Sequence, residues 1–192
     1  MRSFLIVIAL LIGCSSSKLP SFNLRYPIYM LADKSFWSGC EKDPTGNEVC
    51  QGLRIQEINS GIEQWYGQLD KTLYPPPIIV YSKEKVPAGQ VNDLVVLRIE
   101  PGFCGVGKAA CFAYRSASSS SSPEIVFDDP RWITANIMAH EFGHVLGRDD
   151  NDLPAVIGSI MSYFARTDVT PLDVKMVCDL HPECLKAKQK KH

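Results

Sequence analysis

The chain predicts a single α+β domain, a small mixed, twisted sheet with about three helices. Three observations carry this. Apolar residues Ile55, Ile58, Ile62, Trp65, Tyr66 and Leu69 recur at helical spacing. Short runs of strand composition stand at 78–81, 93–99 and 124–127. Two further helix starts are written as Asp129-Pro130 and Thr170-Pro171-Leu172-Asp173. A length of 192 residues suits one domain, and 45% hydrophobic with 21% charged residues is globular composition. A net charge of −1 gives no electrostatic case for nucleic acid. A monomer is expected.

Residues 1–13 read as a signal peptide. Arg2 supplies the positive start, and the apolar run at 4–12 is too short to span a bilayer as a mature helix. Leu11-Ile12-Gly13-Cys14 resembles a bacterial lipobox. That resemblance implies cleavage before Cys14 and acylation of it, anchoring the protein to membrane. Ser15 follows with no aspartate, which by the same resemblance favours the outer membrane of the bacterial cell envelope. The alternative is an ordinary secretory signal with a stray cysteine. Residues 14–25 form the lipidated tether, 26–185 the folded domain and 186–192 a basic tail with no docking role.

Without Cys14, six cysteines remain in an exported chain, and an even number reads as disulfides. They fall in three close pairs: Cys40–Cys50, Cys104–Cys111 and Cys178–Cys184. The first helix starts near Ile55 and packs behind the sheet, and Pro75-Pro76-Pro77 ends it. Residues 78–81 form a strand, and 93–99 form a central one because Leu94, Val95, Val96 and Leu97 are all apolar. Gly102, Gly105 and Gly107 punctuate a loop that the Cys104–Cys111 bridge closes, and a strand follows at 111–115. The serine run at 116–122 is a solvated loop, and 124–127 is a strand. From Asp129-Pro130 a helix runs to about Leu146, its core face made of Ala135, Met138, Ala139, Phe142, Val145 and Leu146. The last helix carries Leu172, Met176, Val177 and Leu180 as its apolar stripe, and Asp173 serves its cap.

The chemistry sits in His140-Glu141-Phe142-Gly143-His144-Val145-Leu146-Gly147-Arg148-Asp149-Asp150. On a helix, His140 and His144 are separated by about 40° and one turn, so both imidazoles leave one face. Two nitrogens so placed can hold one Zn²⁺. Glu141 is turned by about 100° from His140, too far round to join the pair yet able to reach a water there. A catalytic zinc usually has a third protein ligand. The near acidic residues are Asp149, Asp150 and Asp152, with His181 more distant. Gly147 can take a left-handed conformation and swing the chain back, which puts Asp150 at the third position of HExxHxxGxx(H/D).

With Ser159-Ile160-Met161-Ser162-Tyr163 downstream, the motif resembles that of the metzincin metallopeptidases. The aspartate at 150, where most of that family has histidine, resembles the snapalysin and matrixin-like pattern, and SIMSY resembles the methionine turn of astacins and serralysins. The resemblance implies a zincin-like fold with the active-site cleft beside an edge strand in the 109–117 region. It implies one catalytic zinc on His140, His144 and Asp150, Met161 packed beneath it, Tyr163 near the oxyanion, and residues 164–167 walling the pocket. Asp128-Asp129 is similar to a matrixin calcium pair, but helix capping is the better reading of Asp129.

The function expected is zinc-dependent endopeptidase activity on protein or peptide substrates, with Glu141 as general base. Two alternatives are a catalytically silent zinc-binding envelope lipoprotein acting as an assembly module and a zinc amidase on cell-wall peptide. Glu141 argues against the first, since a binding module needs no base. Nothing in the chain marks a glycan site for the second.

Overall fold

The computed structural model describes residues 22–42, 44–69, 74–113, 122–150, 159–161 and 168–181. Among these, five strands form one sheet: β1 (Tyr29–Ala32), β2 (Ile78–Val80), β3 (Leu94–Ile99), β4 (Ala110–Ala113) and β5 (Glu124–Phe127). Their order is β2-β1-β3-β5-β4. Every neighbouring pair is parallel except β4 with β5. The expected central strand is therefore β3, and the expected edge strand at 109–117 is β4. Strand β1 has no counterpart in the sequence reading. Its Tyr29-Met30-Leu31-Ala32 run is buried on both faces, so it shows no alternation that would announce it.

Three α-helices are described: α1 (Asn47–Tyr66), α2 (Ala135–Val145) and α3 (Pro171–Leu180). The main core lies on one face of the sheet, where Val95, Leu97, Ile99, Ile125 and Phe127 meet Ile58, Ile62, Trp65, Met138, Ala139 and Phe142. A smaller cluster of Tyr29, Leu31, Val80, Val86 and Leu94 covers part of the other face. Phe22 and Leu24 are buried in the main core, so the packed chain starts inside the stretch assigned to the tether. No helix among the described residues is long and apolar enough to cross a membrane.

Helix α1 starts eight residues earlier than its apolar stripe suggests. In its first turns Val49 and Leu53 are exposed, which breaks the periodicity. Other contacts hold these turns. Cys50 is bonded to Cys40, and the buried Arg54 donates to the carbonyls of Phe36 and Ser38. The helix ends at Tyr66, before the three prolines.

Helix α2 also departs from expectation. Asp129 caps a single 3-10 turn, accepting from the Arg131 N–H at 2.9 Å. Thr134 is extended again and caps the α-helix proper, which starts at Ala135. The Glu57 carboxylate of α1 accepts from the Ala135 N–H at 2.7 Å, adding a second cap from across the interface. The Trp65 indole N–H donates to the Ala139 carbonyl at 2.8 Å. The two helices touch at Gly61, where a Cβ would lie 2.6 Å from the Ala135 oxygen and 2.7 Å from the Met138 Cβ.

The second bridge, Cys104–Cys111, also forms. Cys178 is disulfide-bonded, and its expected partner Cys184 lies outside the described residues. So do Cys14, the last two residues of the strand expected at 111–115 and residues 116–121 of the serine run.

The helix contact yields a paired test by chemical denaturation. Gly61→Ala should destabilise the protein by about 1–3 kcal/mol, because backbone atoms and a Cβ stand in the way. Gly52→Ala, on the same helix with nothing within 4 Å, should stabilise it by roughly 0.5–1 kcal/mol.

Candidate metal centre

The end of α2 is shaped by Gly147, at φ +87°. The Gly147 N–H donates to the His144 carbonyl and the Arg148 N–H to the Gly143 carbonyl, both at 2.9 Å. This Schellman-type closure turns the chain back across the helix, as the sequence expects. It brings the Asp150 carboxylate to the imidazoles. Oδ1 lies 3.1 Å from His140 Nε2 and 3.2 Å from His144 Nε2. Of the three nearby acidic candidates, Asp149 is exposed and outside this group, while Asp152 lies beyond the described residues. His181 is elsewhere, its Nε2 3.1 Å from the Leu146 carbonyl.

These three side chains are the described group that could hold a metal ion, with donor atoms all within 4.8 Å of one another. Their protonation can be worked out from the far side of each ring. His140 Nδ1 lies 2.9 Å from the Ile160 carbonyl and His144 Nδ1 lies 2.7 Å from the Arg148 carbonyl. A carbonyl only accepts, so each Nδ1 carries a proton, and in the neutral ring, the form that binds a metal, Nε2 keeps its lone pair. Two lone pairs and a carboxylate oxygen converge on one point. In a tetrahedral zinc site, bonds of about 2.0–2.1 Å put ligand atoms roughly 3.3 Å apart. The two separations from Asp150 Oδ1 fit. The pocket also favours positive charge. Burial works against protonating His140, but the Asp150 hydrogen bond, the Glu141 charge and the Ile160 carbonyl hold its pKa above the ordinary imidazole value.

Glu141 is buried, and its Oε2 has no hydrogen-bond partner among the described residues. Burial pushes its carboxyl up. The charges of His144 and His140 and a backbone hydrogen bond from Phe112 oppose this without cancelling it. Phe112 belongs to β4, the edge strand. The Asp128 N–H donates to the Ala109 carbonyl, so on alternation the N–H and C=O of Ala110 and Phe112 face away from β5. The Phe112 ring also stacks on His144, centroids 6.1 Å apart and planes 19° apart. The sequence places a strand here but does not single out Phe112.

Met161 is fully buried, and a Cβ on Gly143 would overlap its sulfur and approach Trp65 Cζ2 at 3.0 Å. Glycine at 143 lets the methionine lie directly under α2, one residue from His144. Tyr163 and residues 164–167 lie outside the described residues. Asp128 Oδ1 accepts from the Gly102 N–H, so both members of the acidic pair have local backbone donors.

No protein-family model matches the chain, and no curated protein matches it in sequence. Among solved structures it is similar to High choriolytic enzyme 1 (HCE-1), a hatching enzyme zinc-protease from Oryzias latipes (Medaka fish), at 12% identity and a TM-score of 0.48. The match covers 88% of this chain and 96% of that one. The functional reading rests on the site itself.

The geometry separates the two adjacent aspartates. Asp150→Ala should weaken zinc binding by more than the roughly 10–100-fold typical of an outer-shell change. Asp149→Ala should stay near wild type, and Asp150→His should retain the metal. Competition titrations with a chromophoric chelator measure all three.

Proposed function

We propose that the chain is a zinc-dependent endopeptidase of metzincin type that acts on protein or peptide substrates. The observation that carries this is the convergence of His140 Nε2, His144 Nε2 and Asp150 Oδ1 beside the buried Glu141 carboxylate. A zinc ion held by these three residues supplies Lewis acidity, which makes a water acidic near neutral pH and polarises a carbonyl.

The rest belongs to the chain. Glu141 takes a proton from the attacking water as the new C–O bond forms. It returns that proton to the amine nitrogen as the C–N bond breaks. The outward-facing backbone of Ala110 on β4 offers an N–H and a C=O to an extended substrate. The Tyr163 hydroxyl steadies the developing oxyanion, and Met161 contributes packing alone. The leader at 1–13 and the lipobox-like Cys14 support an exported protein anchored to the cell envelope.

Two experiments test this. Glu141→Gln should lower peptide hydrolysis by at least about 100-fold while zinc content stays near one per chain. Retained turnover would mean that another group is the base, and chelator-resistant turnover would remove zinc from the reaction. Cys14→Ser should move the protein from the membrane fraction to the soluble exported fraction, and unchanged partition would rule out the anchor.

A further inference from the structure

Asp173 stands in the first turn of α3, where the sequence expects a capping box. The box forms: Asp173 Oδ2 accepts from the Thr170 N–H at 2.8 Å and the Thr170 hydroxyl at 2.7 Å. A cap of this kind works at the surface, yet Asp173 is fully buried. Its remaining bonds leave its own helix. The Ile160 N–H lies 3.2 Å from both carboxylate oxygens, and the Ser159 hydroxyl donates to Oδ1. Ser159 Oγ in turn accepts from the Met161 N–H at 3.0 Å.

That last bond reaches the metal centre. The Met161 N–H and the Ile160 C=O are two ends of one planar peptide unit. Fixing the N–H fixes the direction of the carbonyl, and that carbonyl receives His140 Nδ1 at 2.9 Å. The path from the α3 carboxylate to the imidazole is Asp173, Ser159 Oγ, the 160–161 peptide, then His140.

We infer that Asp173 is a positioning residue of the metal centre: from α3 it orients the Ile160 carbonyl that aims His140. The inference rests on the metal-site reading above. A buried carboxylate with four donors holds one geometry, whereas water in its place would leave the 159–161 turn free to rotate. His140 would then keep its place on the helix but lose its aim at the focus it shares with His144.

The test uses the full chain and three variants: Asp173→Ala, Ser159→Ala and Thr170→Ala. Zinc dissociation constants, the visible absorption of the Co²⁺-loaded protein and thermal melts are measured together. Asp173→Ala should bind zinc about 10–100-fold more weakly, with altered cobalt bands, while folded at the assay temperature. Ser159→Ala should move both readouts in the same direction. Thr170→Ala removes a cap hydroxyl and should lower the melting temperature while leaving zinc affinity within about twofold and the cobalt bands unchanged. If Asp173→Ala does not fold, Ser159→Ala decides. A folded Asp173→Ala, or Ser159→Ala in its place, with wild-type zinc affinity and cobalt bands overturns the inference. Equal loss in Thr170→Ala overturns it too, since stability alone would then explain the effect. Wild type that binds no zinc overturns the metal-site reading itself, an outcome visible before any variant is made.

Discussion

The structure depends on the contact between α1 and α2. At Gly61 the two backbones come so close that no side chain fits between them. Around that point α1 holds α2 by polar bonds as well as packing: Glu57 caps its first N–H, and Trp65 takes the Ala139 carbonyl. A ligand helix fixed in this way presents His140 and His144 from a rigid rod. The same helix α1 also reaches the far side of the site. Gln64 and Gln68 bond the Val169 N–H and C=O, just ahead of the α3 cap. One long helix therefore sets the relative positions of the ligand helix and the element that carries Asp173.

Within the site, charge and desolvation oppose each other. Two imidazoles and two carboxylates share a pocket from which much of the solvent is excluded, so each ionised group relies on the others. Burial raises Glu141, and the two histidines only partly restore it. The Asp150 contact raises His140. A cation held at the common focus satisfies all of these at once, which is the physical basis for reading the cluster as a metal centre.

Much of this was legible in the chain. The apolar stripe from Ile55 to Leu69, the strand runs, the Thr170 capping box and the His140/His144 spacing are all encoded within a few consecutive residues. Short-range periodicity and cap chemistry survive translation into structure because they act locally. Gly147 belongs here too, since its positive φ follows from lacking a Cβ. The misreadings had local causes as well. Asp129-Pro130 does start a helical turn, but Thr134 starts the helix that matters.

What the sequence alone determined was the imidazole pair, the carboxyl beside it and the turn that returns the chain. Those depend on residue identity at fixed spacing. The turn at Gly147 already pointed to Asp150 over Asp149, and the tertiary structure added the distances of its Oδ1 from the two imidazoles. The tertiary structure alone showed β1, since a strand buried on both faces carries no alternation. It alone showed the acceptors behind the histidines, the carbonyls of Ile160 and Arg148. Every residue has a carbonyl, so residue identity gives no sign of which one will be aimed at a ring. For the same reason Asp173 reads in the sequence as a cap, while the fold buries it against a turn 13 residues away.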